Sequence, residues 1–158
     1  MKKILAFLFR RRAKASKIIA QGIRNNAGHY DGLYEGLYQT LEHPQPLCTD
    51  AYQEWCDRVA LIQDPAFQEA FAARFRKTDI EDPKGCLEKH RQLLTLVNQA
   101  GIRRHWAGTT VADEEICKYY YDITGQKPQL GGSYQTIKAA WTMDGKVVEY
   151  GMVMGVNS

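Results

Sequence analysis

The spacing of apolar residues changes at Gly101, and this change constrains the fold more than any other feature of the chain. Before Gly101, apolar side chains recur every three or four residues, which is typical of helices that bury one face. After it, β-branched and aromatic residues gather in short runs around turn residues, which is typical of strands. The sequence therefore predicts an α+β fold, with a helical N-terminal two-thirds and a C-terminal β-α-β-β unit that ends in a β-hairpin.

Start and stop signals divide the helical part. Two Asp-Pro pairs, at 64–65 and 82–83, each place a capping side chain before a first-turn proline. Gly101 is placed to end the last helix as its C′ residue. Two apolar sets recur at helical spacing between these signals: Tyr52, Trp55, Val59 and Ile62, then Phe67, Phe71 and Phe75.

The segment 32–39 reads GLYEGLYQ and repeats leucine, tyrosine and glycine every four residues. On a helix, such steps make slowly drifting stripes, so we expect a leucine stripe flanked by tyrosines on one side and glycines on the other. We interpret Gly32 and Gly36 as a seam that packs closely against another helix, with the tyrosine stripe half buried. The residues left for the solvent-facing arc are Asp31, Glu35, Gln39 and Glu42.

The C-terminal third is predicted from turn chemistry. Residues 102–106 suit a short strand, and Thr110 suits the start of a helix that runs through three consecutive tyrosines to Gly125. Asp144-Gly145 lies between β-rich runs at 136–143 and 146–154, and this pair favours a type I′ hairpin turn. We expect one domain over 1–158, made of a basic leader helix at 1–24, a helical part at 25–101 and the β-α-β-β part at 102–156.

Charge is unevenly distributed along the 158 residues. Eight of the 21 basic residues lie in the first 24, and no acidic residue precedes Asp31. The remainder of the chain carries 13 basic and 18 acidic residues. A basic leader on an acidic body suggests charged partners.

The leader contains an apolar run at 4–9 that is followed by Arg10, Arg11 and Arg12. Six apolar residues are too few for an export signal or a membrane span, so we expect a cytoplasmic protein. Three roles stay open for the leader: a helix docked on the body with solvated arginines, a helix on an anionic membrane surface, or a contact with nucleic-acid phosphate.

The cysteines and histidines carry no specific motif. Four cysteines without a C-x-x-C pair are expected to be free thiols in a reducing compartment. Cys86 and His90 are four residues apart on a predicted helix and could share a zinc ion with Cys48 and Cys56. Structural zinc sites usually have tighter ligand pairs, so we predict no metal and no cofactor.

The most enzyme-like stretch is Arg103-Arg104-His105, which is followed by Trp106 and the expected helix start at Thr110. Two arginines beside a histidine and a helix start could hold a phosphate group. The alternative interpretation is an edge strand with exposed cations and Trp106 in the core. No cysteine lies in a known nucleophile context, and we predict no catalytic residue.

Acidic clusters and tyrosines suggest protein binding instead. The predicted partner-binding residues are Asp79, Glu81, Asp82, Asp113, Glu114, Glu115, Tyr119, Tyr120 and Tyr121. Consecutive tyrosines on a helix cannot all be buried, and tyrosine beside acidic groups is typical of protein interfaces.

These features predict a non-enzymatic bacterial protein of the cytoplasm that binds another protein. Its most specific form is an inhibitor or immunity-type protein that masks a basic toxin domain, such as a nuclease. The alternative function is a phosphate- or nucleic-acid-directed enzyme or binder, which would use the Arg103-Arg104-His105 region or the basic leader. The sequence leaves the oligomeric state open.

Overall fold

A computed structural model of the chain describes residues 2–43, 48–76 and 83–156. The chain forms two compact units, Met1–Ala100 and Gly101–Ser158, and the boundary falls where the apolar spacing changes. The first unit is helical and the second is rich in strands, so the predicted α+β class is confirmed. That both units act as one domain stays a prediction.

The first unit contains five α-helices among its described residues. Its first helix, α1, packs against α4 and α5, and α2 and α3 also pack against α5. The helices are α1 (Lys2–Asn25), α2 (Tyr34–Glu42), α3 (Cys48–Ala60), α4 (Pro65–Arg74) and α5 (Pro83–Gln99), with a 3₁₀ turn at Ala27–Tyr30 between α1 and α2.

Local signals fix the start of α4 and the end of α5 as predicted. The Asp64 carboxylate accepts a hydrogen bond from the Phe67 backbone N–H at 3.0 Å, and Pro65 occupies the first turn of α4. Gly101 follows α5 with a φ of +89°, the left-handed geometry that ends many helices. The second Asp-Pro signal begins at Asp82, which lies outside the described residues.

The interpretation of GLYEGLYQ as a close-packed glycine seam is wrong. Gly32 lies in a turn before α2, and Gly36 lies on its exposed face. A Cβ added at either position would meet no atom within 4 Å. The close approach occurs at Gly22 of α1, where an added Cβ would lie 2.5 Å from Phe67 Cγ of α4.

Tyr38 is half buried, as predicted for the tyrosine stripe, but Tyr30, Tyr34 and Glu35 are more buried than predicted. Tyr30 and Tyr34 are fully enclosed, and Tyr34 Oη donates a hydrogen bond to the Ala27 carbonyl at 2.9 Å. Glu35, expected in the solvent-facing arc, is buried and accepts a hydrogen bond from Gln39. The short α2 is enclosed on more sides than a one-sided helix would be, because both α3 and α5 pack against it.

Residues 101–156 of the second unit form seven strands in two sheets and one short helix. The strand orders are β1-β5-β6 in the first sheet and β2-β4-β7-β3 in the second. All pairs are antiparallel except β3 with β7. The elements are β1 (Ile102–His105), β2 (Thr109–Val111), α6 (Glu114–Tyr119), β3 (Tyr120–Asp122), β4 (Ser133–Lys138), β5 (Ala140–Met143), β6 (Lys146–Glu149) and β7 (Gly151–Gly155).

The hairpin turn forms where predicted, but its arms are shorter than expected. Asp144 and Gly145 have φ values of +51° and +72°, and both must be positive in a type I′ turn. Each predicted arm is divided between the two sheets, since β5 and β6 pair in one sheet and β4 and β7 pair in the other. This part of the chain therefore contains several more strands than the predicted β-α-β-β unit.

Two element assignments in this unit are corrected. Thr110 pairs with Tyr134 in β2 and does not begin a helix. The helix begins after Asp113, and the tyrosine run leaves it at Tyr120, which pairs with Gly151 in β3. Strand pairing with β7 overrides the local helical pattern at this point.

Candidate functional site

The predicted acidic surface is only partly described by the structure. Asp79, Glu81 and Asp82 lie outside the described residues. Asp113 is the N-cap of α6 and accepts a hydrogen bond from the Ile116 N–H at 2.8 Å. Its carboxylate therefore has a structural role at the helix start.

Glu114 and Glu115 are exposed, as Asp113 is. They occupy the first turn of α6, where negative charge also favours the helix dipole. The opposite side of α6 is buried, because Ile116 packs in a core cluster with Tyr119, Tyr120 and other residues of the second unit.

The three consecutive tyrosines have different environments. Tyr119 and Tyr120 are buried, and Tyr120 Oη donates a hydrogen bond to the His105 carbonyl at 2.7 Å. Burial raises the pKa of the Tyr120 hydroxyl. Two of the predicted contact residues therefore offer a partner little exposed area, and Tyr121 is the most accessible of the three.

Tyr121 is already in contact with a cation of its own chain. The Lys127 ammonium lies 3.8 Å from the centre of the Tyr121 ring and 4.4 Å from that of Tyr150. The two rings meet edge to face with centres 4.8 Å apart. Lys127 also donates hydrogen bonds to the carbonyls of Lys118 and Tyr120, so this cluster ties the loop after β3 to the sheet.

The Arg103-Arg104-His105 stretch forms β1, which is an edge strand of its sheet, as the second interpretation expected. Trp106 is 52% exposed, so its predicted place in the core is wrong. The Arg104 guanidinium lies 5.2 Å from its ring centre, a cation–π contact that an exposed indole can make.

A small cavity of about 170 Å³ lies beside His105. Its lining includes Glu115 and the rings of Trp106 and Tyr119, but neither arginine of the stretch. The His105 ring meets Tyr119 edge to face, with centres 5.3 Å apart. A carboxylate and aromatic rings do not make a site that favours phosphate.

Cys86 and His90 lie together inside the first unit, as their spacing predicted. The Cys86 Sγ is 3.7 Å from His90 Nδ1, which donates a hydrogen bond to the Cys86 carbonyl at 2.9 Å. Burial lowers the pKa of His90. Across the described part of the chain, no three side chains of the metal-binding types come together, and the Cys48 side chain lies outside that part.

The structure shows an acidic surface on α3 that was not predicted from the sequence. Asp50, Glu54 and Asp57 are exposed at spacings of four and three, which places them on one side of the helix. They line a shallow groove of about 470 Å³ together with Gln53, Arg58 and Leu61. Leu61 is 77% exposed at the end of α3. We call these residues the α3 groove.

The signal for the α3 groove was present in the sequence. The acidic spacing at 50, 54 and 57 is complementary to the apolar spacing at 52, 55 and 59 on the same helix. The acidic excess of the chain after the leader also lies in the first unit, which contains α3. The second unit is balanced, because residues 101–158 carry six basic and six acidic side chains. Acidic residues at helical spacing are harder to recognise in a sequence than runs of adjacent acidic residues.

Comparisons with other proteins return no relatives. No protein-family model matches the chain, and no curated protein or solved structure matches it. None of the helices in the described residues is both long enough and apolar enough to cross a membrane.

Proposed function

We propose that this protein is a non-enzymatic protein-binding protein whose partner is a basic domain, and that it binds this partner through the α3 groove. The observation that carries the proposal is the placement of Asp50, Glu54 and Asp57 along one exposed side of α3 beside the exposed Leu61. Carboxylates on a concave surface steer a basic protein into contact, and an adjacent apolar side chain contributes buried area after docking.

The negative charges of the α3 groove are partly compensated, but its net charge is negative. Arg58 Nη2 lies 3.5 Å from Glu54 Oε1. Both side chains are exposed to solvent, so this ion pair is weak. Asp57 accepts a hydrogen bond from the neutral Gln53. Three carboxylates and one guanidinium leave a net negative groove.

The most specific form of the proposal is an inhibitor or immunity-type protein in the bacterial cytoplasm. It would mask a basic toxin domain, such as a nuclease, by covering the surface with which that domain contacts phosphate. Competition between carboxylates and phosphate for the same basic groups gives the mechanism. Glu114 and Glu115 on α6 form the other acidic surface, and contact there in place of the α3 groove is the competing placement of such a partner.

Charge reversal distinguishes the two acidic surfaces. The purified protein and two double variants serve as baits in a lysate of the source organism: Glu54→Lys with Asp57→Lys, and Glu114→Lys with Glu115→Lys as the matched control. Each pair changes the charge equally at exposed helix positions. We expect the first pair to lose a stoichiometric basic partner and the control to retain it, with bound proteins measured by mass spectrometry.

The inhibitor function has its own readout. Once the basic partner is purified, its enzymatic activity is titrated with the wild-type protein, and we expect a loss of activity at a one-to-one ratio. A partner that keeps its activity in the complex would contradict inhibition but not binding. Equal binding by all three baits, or loss only with the α6 variant, would contradict the α3 groove.

The alternative function, a phosphate-directed site at Arg103-Arg104-His105, has weaker support. The cavity beside His105 is lined by Glu115 and not by the two arginines, and a carboxylate repels phosphate. The alternative stays a prediction, and phosphate binding that is lost in Arg103→Ala would support it.

A further inference from the structure

A second groove of the first unit has the opposite charge. It lies between α1, α4 and α5 and has a volume of about 770 Å³. Four cationic side chains from three helices line it together with Ser16, Gln92 and four alanines: Arg11 and Arg12 from α1, Arg74 from α4, and Lys89 from α5. We call these residues the basic groove.

Two of its cations are held in place by hydrogen bonds. The Arg74 guanidinium donates to the Ser16 hydroxyl across the α1–α4 contact. The Lys89 ammonium donates to the Arg74 carbonyl at 2.7 Å, and it lies 5.6 Å from the centre of the Phe75 ring. These contacts order both side chains before any ligand arrives, which lowers the entropic cost of binding.

None of the side chains that line the groove in the described part of the chain is acidic. Glu88 of α5 is nearby in sequence, but its carboxylate accepts hydrogen bonds from Gln92 and Arg91 and is exposed. Small alanine side chains from α1 and α4 leave the space into which the cations project. A groove of this kind stabilises an anion.

We propose that the basic groove binds phosphate groups. Arginine presents paired donors that match phosphate oxygens, and lysine adds a further charged donor. The cavity exceeds the size of a single phosphate, so a ligand with more than one phosphate, or a phosphate on a larger headgroup, fits it best. The shared chemistry has two sources, a free phosphorylated compound and the headgroup of an anionic lipid.

The arrangement favours a bounded phosphate site over a general contact with nucleic acid. A nucleic-acid surface extends its cations along the path of the strand. Here the leader cations divide around α1: Arg11 and Arg12 line the groove, whereas Lys14 and Lys17 fall in the remaining arc of the helix and are not part of its lining. Only one side of the leader therefore contributes to the groove.

This division supplies matched variants. Arg11→Ala with Arg12→Ala removes two charges inside the groove, and Lys14→Ala with Lys17→Ala removes two charges from the same helix outside it. All four residues are exposed, so both variants should retain the fold, which circular dichroism checks. Pyrophosphate titrated into each protein by calorimetry tests the free source, and cosedimentation with phosphatidylcholine vesicles that contain phosphatidic acid tests the lipid source.

We expect at least one probe to bind the wild-type protein. The arginine variant should bind it at least about tenfold more weakly, because two charge-assisted hydrogen bonds are lost. The lysine variant should stay within about twofold, because Lys14 and Lys17 do not line the groove and act on the ligand only through charge that solvent screens. Binding of pyrophosphate alone assigns the free source, and binding of vesicles alone assigns the lipid headgroup.

Two outcomes would overturn the proposal. One is the failure of both probes to bind the wild-type protein. The other is an equal loss in the two double variants, for the probes or for a fluorescent single-stranded oligonucleotide, since this would show a general response to net charge. Arg74→Gln gives an independent check, because it removes a groove cation on α4 without changing the charge of the leader.

Discussion

The ring of Tyr30 lies parallel to the indole of Trp55, with ring centres 4.4 Å apart and an angle of 14° between the planes. Tyr34 meets both rings edge to face, at 6.1 Å and 5.9 Å. All three side chains are fully buried, and they join the segment after α1 to α3. This aromatic cluster is the part of the core in which large side chains from three elements converge.

The two buried tyrosines of the cluster differ in their hydroxyl groups. Tyr34 Oη donates to the Ala27 carbonyl, whereas Tyr30 Oη has no hydrogen-bond partner among the described residues. Burial raises the pKa of Tyr30. We expect Tyr30→Phe to raise the free energy of unfolding by about 1 kcal/mol, and Tyr34→Phe to lower it by about 1 kcal/mol. Urea unfolding followed by tryptophan fluorescence measures both; a larger loss for Tyr30→Phe would reveal a partner for its hydroxyl.

Alanine substitutions test the close helix contact observed at Gly22 against the one predicted at Gly36. Gly22→Ala should lower the free energy of unfolding by about 1–3 kcal/mol, because its Cβ would enter the volume of the Phe67 ring. Gly36→Ala should raise it by about 1 kcal/mol, because the site is helical and open. Thermal unfolding measures the pair, and a stabilised Gly22→Ala would contradict the close contact of α1 with α4.

The ion pair between Lys138 and Glu149 should stabilise the second unit. Its N–O distance is 2.9 Å, and the Glu149 side chain is 1% exposed while that of Lys138 is 38% exposed. Lys138→Met should lower the free energy of unfolding by about 2 kcal/mol, less than for a fully buried pair because solvent screens the lysine. Lys146→Met, at an exposed position of the hairpin, is the control and should stay within about 0.5 kcal/mol. Equal urea midpoints for the two variants would refute this role of Lys138.

His90 should make the stability depend on pH. Burial lowers its pKa in the folded state, so below the unfolded-state pKa of about 6.5 the unfolded chain binds more protons. Stability is therefore complete above that pH and falls as the pH decreases, by up to about 1.4 kcal/mol for each pH unit. His90→Phe should flatten this slope between pH 7.5 and 5.5 (about the range in which histidine titrates), and His29→Gln should not. An unchanged slope in His90→Phe would assign the effect to another group.

Much of the helical part could be predicted because its signals are local. The cap at Asp64, the stop at Gly101 and the spacing of Phe67, Phe71 and Phe75 each act within one or two turns of helix. The turn at Asp144-Gly145 belongs to the same class, since its backbone geometry depends on two residues. Such features need no knowledge of distant partners.

The candidate sites were predicted less well. Tyr119 and Tyr120 have the composition of an interface but are buried: Tyr119 of α6 packs in the core cluster with Ile116, and Tyr120 pairs with Gly151 of β7. Asp113 was grouped with Glu114 and Glu115 by proximity, but its carboxylate caps α6. Runs of adjacent residues do not reveal which side of an element faces the solvent.

The sequence by itself determined the α+β class, the change at Gly101 and the start of α4, because short-range hydrogen bonds and apolar spacing decide these. Only the tertiary structure decided which glycine meets a neighbouring ring, which strands share a sheet, and which cations converge on one groove. Arg11, Arg74 and Lys89 come from three different helices. Their convergence depends on how the helices pack, and the packing arises from many weak contacts that no short stretch of sequence records.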